Sequence, residues 1–152
     1  MKQFQINSLA ETKNLACRFA KLLRTGDIVA LEGTLGVGKT AFTRFLIQSL
    51  TTDDEEVPSP TFTLLQTYDT PCFPIYHFDL YRLEKPQDVY ELGIEDAFVE
   101  GVSVIEWPDK MGGILPSHKV LKIEIELRKD VRVFNFSSQN RTWIERLASW
   151  TD

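Results

Sequence analysis

No feature of this sequence narrows the possible folds more than the run Gly33-Thr-Leu-Gly-Val-Gly-Lys-Thr40. It satisfies the pattern G-x-x-x-x-G-K-[ST], with an additional glycine at Gly36. Each position has a physical task. Glycines adopt positive φ and let the backbone approach a ligand with no Cβ in between. The resulting nest of N–H groups, from Gly33 through Leu35, Gly36, Val37 and Gly38, joins the N-terminus of a following helix in attracting phosphate. Lys39 then reaches the β- and γ-phosphates, and the Thr40 hydroxyl ligates Mg²⁺. With glycine near 7% of residues, chance gives roughly one such match in two hundred chains of this length. The flanks sharpen the reading. Ile28 to Leu31 is an apolar run suited to a buried parallel strand, and Thr40 to Leu50 carries Phe42, Phe45, Leu46 and Leu50 at helical spacing. The expectation is a P-loop on a strand–loop–helix unit, with ATP and Mg²⁺ as its cofactors.

The remaining pattern fits an α/β chain. Ser8 with Glu11 reads as a capping box, and the apolar spacing from Leu9 predicts a helix to about Arg24. Residues 51–60 form an acid-rich loop, which Pro58 and Pro60 hold extended, followed by a strand from Thr61 to Tyr68. Further strands are expected at Ile75 to Asp79 and Val102 to Ile105, with a short helix at Pro86 to Leu92 closed by Gly93. Lys119 to Leu127 and Val131 to Phe136 alternate as a hairpin around Lys129-Asp130, and Arg141 to Trp150 closes the chain as a helix. No repeat or second domain is evident. The expected architecture over 1–152 is one P-loop NTPase domain: a mostly parallel central sheet flanked by helices, with an antiparallel C-terminal extension.

A P-loop needs an acidic partner at the end of a neighbouring strand. Two strands offer one: Ile75-Tyr-His-Phe-Asp79 and Val102-Ser-Val-Ile-Glu106. Both acids stand where ligands bind in open α/β sheets, and at least one is expected to serve the metal. The segment Ser59-Pro-Thr61-Phe-Thr63 presents hydroxyls of the kind that meet the γ-phosphate and Mg²⁺ in switch loops. His77 is read as a packed histidine rather than a base. There is no N-K-x-D stretch for guanine, no ABC-type signature and no arginine-rich lid; Arg82 is the one basic residue near the Asp79 strand.

Charge limits the partners. The formal net charge is −5 with no Lys/Arg run, and gripping nucleic acid requires a concentrated basic face. Any contact with RNA is therefore expected to be indirect. No apolar run approaches the roughly 20 residues of a membrane span, and the start MKQFQINSLAETKN is polar, so a cytoplasmic protein is expected. Cys17 and Cys72 match no metal or redox spacing, and Cys17, on an apolar helical face, is expected to be a core thiol.

Taken together, Glu32 to Thr40, Ser59-Pro-Thr-Phe-Thr-Leu64, Tyr76-His-Phe-Asp-Leu-Tyr-Arg-Leu83, Glu91-Leu-Gly-Ile-Glu-Asp96, Val104-Ile-Glu-Trp-Pro108 and Ile114-Leu-Pro116 resemble, in that order, the bacterial TsaE family. The resemblance covers about residues 5 to 135. It implies a P-loop sheet domain that hydrolyses ATP weakly alone and works beside the TsaB–TsaD pair, which places a threonylcarbamoyl group on tRNA adenosine. It also implies roles: Lys39 on phosphate, Thr40 and Glu106 on Mg²⁺, and Asp79 near the γ-phosphate and its water. Thr12 and Arg132 would lie near the base or ribose. Thr34 stands where the family often has Asp. Two other readings stay open on the residues alone: a small-molecule P-loop kinase, and a nucleotide-regulated binding module without productive hydrolysis.

Overall fold

The computed structural model describes residues 1–34 and 36–150. Its strands are β1 (Lys2–Ile6), β2 (Ile28–Glu32), β3 (Leu65–Tyr68), β4 (Ile75–Asp79), β5 (Val102–Glu106), β6 (Leu121–Arg128) and β7 (Val131–Ser138). Its α-helices are α1 (Leu9–Ala20), α2 (Lys39–Leu50), α3 (Ile94–Glu100) and α4 (Arg141–Ser149), with 3₁₀ segments at Pro86–Leu92 and Pro108–Ile114.

The strands form one sheet in the order β1-β7-β6-β2-β5-β4-β3. Pairing is parallel through β6-β2-β5-β4, which places the P-loop strand at the centre. It is antiparallel from β6 through β7 to β1, and again at the far edge between β4 and β3. The antiparallel part therefore reaches beyond the expected C-terminal hairpin at both edges.

Burial explains the centre. Val29 and Leu31 face a core built with Leu15 and Phe19 of α1, Phe42 and Leu46 of α2, and Trp143 of α4. Ile28 and Ala30 face the other core, with Val89, Ile94, Ala97 and Met111. A strand covered on both sides reads as an unbroken apolar run. At the edge, β1 alternates instead: Ile6 is buried while its polar neighbours face solvent. Two apolar residues in five are too few to signal a strand, and pairing with β7 makes it one.

Half of the expected capping box forms: Ser8 Oγ accepts from Glu11 N, but the Glu11 carboxylate accepts from the N–H of Asn7, one residue before the cap, rather than from that of Ser8. The helix stops short of Arg24, because Leu22 and Leu23 turn their N–H groups onto Phe19 and Ala20 in a tightened last turn. Cys17 is half-buried, so it is not the core thiol expected; Leu15, Ala16 and Phe19 take the inner face. Residues 61–63 are a turn rather than the start of a strand. Leu64 N–H donates to Pro60 O at 2.6 Å, and Leu64 itself is left-handed at φ 67°. Extended backbone begins only at Leu65.

Candidate nucleotide site

The site forms at the C-terminal ends of β2, β4 and β5. Gly33 follows β2 with φ 153°, and a Cβ there would sit 2.7 Å from Val37 Cγ1 and 2.8 Å from Ile125 O. Only glycine fits. Gly38 opens α2 at φ 115°, and a Cβ there would press on the Arg132 guanidinium stem at 3.2 Å. The first turn of α2 thus opens onto a cleft of about 290 Å³, lined by Gly36 and residues 38–41 together with Asp79, Glu106, Trp107 and Arg132. A larger hollow of about 490 Å³ lies beside Glu32, Glu124 and Glu126. Its carboxylates would repel phosphate, so size does not mark the anion site.

Lys39 is 5% exposed. Its Nζ donates to Gly33 O at 2.8 Å and lies 3.8 Å from the centroid of the Trp107 ring. Burial lowers its pKa from the ordinary lysine value, and the carboxylates of Glu106, Asp79 and Asp109 oppose that shift. A cation held this way, buried and against an aromatic face, gains most from an incoming anion. Trp107 takes a left-handed conformation at φ 59° directly after β5, and Tyr81 packs edge-on against it at 5.0 Å. Lys39 and Trp107 also line a neighbouring cleft of about 240 Å³ that includes Asp109, so the pair stands between the two.

Asp79 and Glu106 are register partners on β4 and β5, and both are buried. Their bonding differs. Asp79 Oδ2 accepts from Thr61 Oγ1 at 2.9 Å, and Oδ1 accepts from Tyr81 N at 3.1 Å. Glu106 Oε2 lies 2.6 Å from His77 Nε2. The packed histidine expected from the sequence is therefore also bonded to a site acid.

Of the remaining expected residues, Thr40 presents an exposed side chain at the head of α2. Gly36 and Gly38 line the cleft, and the buried Val37 offers its carbonyl to Arg132 Nε at 2.8 Å. Arg132 thus reaches from β7 onto the P-loop itself. Thr61 joins Ser59 Oγ at 2.8 Å as well as Asp79, whereas Thr63 is exposed and accepts from Gln66. Thr12 is buried on α1, with its hydroxyl donated to Ser8 O, and is not among the cleft residues. Leu35 lies outside the described residues. Asp109 escaped sequence reasoning, although its place three residues after Glu106 was a usable signal.

Mg²⁺ chemistry fits these donors. Among the described residues no cluster of three or more His, Cys, Asp or Glu side chains could hold a metal alone. Mg²⁺ is ordinarily held by one or two carboxylates together with substrate phosphates, which matches Thr40 with two acids beside an anion cradle. No helix among the described residues is long and apolar enough to cross a membrane.

A family model described as "Threonylcarbamoyl adenosine biosynthesis protein TsaE" matches residues 6–134. The tRNA threonylcarbamoyladenosine biosynthesis protein TsaE of Rickettsia bellii is 46% identical over 125 residues, covering 82% of this chain and 86% of its own. The Bacillus subtilis protein of that name is 33% identical over 141 residues, 91% of this chain and 87% of its own. Among solved structures, Bacillus subtilis YdiB superposes with a TM-score of 0.81 at 28% identity, over 98% of this chain and 93% of that one.

Proposed function

The chain belongs to the TsaE family of tRNA threonylcarbamoyladenosine biosynthesis proteins, and from this we propose that it is the family's Mg²⁺-dependent ATPase subunit, slow alone and acting beside the TsaB–TsaD pair in the cytoplasm. One observation carries this reading: a glycine-rich anion cradle, Lys39, Thr40 and two buried strand-end acids converge on a single cleft.

In this reading the backbone N–H groups and Lys39 bind the phosphates. Lys39 leaves Gly33 O to do so, and the developing charge on the transferred phosphoryl group is stabilised by a preorganised cation. Thr40 and Glu106 would hold Mg²⁺, and the ion would supply positive charge to offset that of the phosphates. Asp79 orients the attacking water; for that it must give up the Thr61 hydroxyl, so the 59–63 turn reports on the state of the site. Arg132 steadies the P-loop through Val37 O. The acidic surface leaves tRNA contact to the partner pair. Family membership favours this role over a free-standing small-molecule kinase.

Calorimetric titration with ATP, in Mg²⁺ and in a chelator, tests the reading. Binding should tighten with Mg²⁺. Glu106→Gln should lose that gain, while Asp79→Asn should bind normally and turn over slowly. Loss of metal affinity only in Asp79→Asn would reverse the two roles, and no ATP binding would end the proposal.

A further inference from the structure

His77 is the unexplained polar group beneath the site. It is 1% exposed, in register with Val104, and two residues before Asp79 on β4. Residues two apart on a strand share a face, so His77 lies directly below the pair of acids. Its Nε2 is 2.6 Å from Glu106 Oε2, and its Nδ1 has no partner among the described residues. Leaving a buried ring nitrogen unpaired costs free energy. A leucine would fill the same space without that cost, so packing does not explain the imidazole. The bond to Glu106 does.

A carboxylate only accepts, so Nε2 carries the hydrogen. Glu106 then has one oxygen held from below, while Oε1 receives no protein hydrogen bond among the described residues. Asp79 differs: both its oxygens are engaged, one of them by the 59–63 turn. The two acids are thus prepared differently, one held from beneath by a buried strand residue and one tied to a surface turn.

We propose that His77 is the positioning residue for Glu106, holding Oε2 through Nε2–H and so reserving Oε1 for the cation that accompanies the nucleotide. The proposal rests on the reading of Glu106 as the Mg²⁺-facing acid. Groups that orient metal-ligating carboxylates typically contribute about 10–100-fold in metal affinity.

The test compares His77→Leu with His77→Gln, whose amide keeps an N–H donor. Mg²⁺ is titrated into the ATP complex of each full-length variant, ATP binding in chelator serves as control, and thermal melts confirm folding. His77→Leu should weaken Mg²⁺ about 10-fold or more while chelator-state ATP binding stays within about 3-fold, and His77→Gln should recover most of the loss. In a Glu106→Gln background, His77→Leu should add nothing further. An unchanged Mg²⁺ affinity in His77→Leu, or an equal loss in the Glu106→Gln background, overturns the proposal. The imidazole tautomer of the nucleotide-free wild type, read from ring nitrogen NMR shifts, is an independent measurement of the same bond. Hydrogen on Nε2 supports the proposal, and hydrogen on Nδ1 alone refutes it. If the wild type shows no Mg²⁺ effect at all, the reading of the site fails, and the tautomer still decides whether His77 holds Glu106.

Discussion

Arg146→Ala should destabilise this protein severely without altering its nucleotide site. Arg146 on α4 donates Nη1 to Asp27 Oδ2 and Nη2 to Asp27 Oδ1, both at 2.8 Å, and Nη1 also reaches Leu22 O at 2.7 Å. Its guanidinium carbon lies 3.7 Å from the Trp143 ring centroid. Both side chains of the pair are 9% exposed. The bond therefore joins the last helix to the turn between α1 and β2 in a nearly dry environment. Removing one partner leaves the other charge buried and unpaired, which costs about 3–5 kcal/mol. For a chain of this size each kcal/mol moves the melting temperature by about 2–4 °C, so the fall should be roughly 6–20 °C. Urea melts of Arg146→Ala and Asp27→Ala measure the free-energy loss, and thermal melts the shift in Tm. The double variant Asp27→Leu/Arg146→Met, which removes both charges and keeps volume, should recover much of the loss. A loss below about 1 kcal/mol in either single variant would mean that the pair is no more than an exposed surface bridge, and the burial argument would fall.

Lys39→Ala should lower ATP hydrolysis by about 10²–10³, the typical worth of one preorganised donor on developing charge; phosphate release within a few-fold of wild type would remove Lys39 from the chemistry. Trp107 lies against Lys39 and the cleft, whereas Trp143 is buried in the helical core, so Trp107→Phe should abolish the ATP-induced fluorescence change and Trp143→Phe should not. Burial depresses the pKa of Lys39, so the unfolded chain binds this proton more readily than the folded one. Stability should therefore rise with pH from the folded value up to the ordinary lysine value of about 10.4. Urea melts of wild type against Lys39→Met from about pH 8 to about pH 10.5 read this slope, and a difference that falls with pH would contradict the effect of burial.

The parts of the fold that were legible are those where local physics and tertiary context agree. β4, the short helix at Pro86–Leu92 closed by Gly93, which is 3₁₀, and the hairpin at Lys129-Asp130 all lie where apolar pattern and turn residues put them. What was not legible depends on contacts distant in sequence. β1 is a strand because β7 pairs with it, and α3 is a helix of seven residues whose buried Ile94 and Ala97 give too short a period to recognise. The 59–63 segment has strong β-formers, yet Thr61 bonds Asp79, which is 18 residues away. In the site, the acids could be found because each ends an apolar strand. The role of His77 could not, because the bond depends on β4 and β5 being neighbours in one register.

Dependence on a partner is tested most directly by ATP turnover of the pure chain against turnover with the TsaB–TsaD pair, with and without tRNA. Arg132, which lines the cleft, is bonded to Val37 O, and Arg82 is not among the cleft residues; it is exposed, 4.5 Å from the centroid of the exposed Phe62 ring. An arginine supplied in trans can contribute about 10³–10⁵ in rate, and positioning of the 59–63 turn adds a further reason for dependence on a docked surface. The expected result is slow hydrolysis alone, clear acceleration by the pair, and association of the pair with this chain in ATP. Fast hydrolysis by the pure chain that the pair leaves unchanged, or a pair that fails to bind in ATP, would contradict the proposed role.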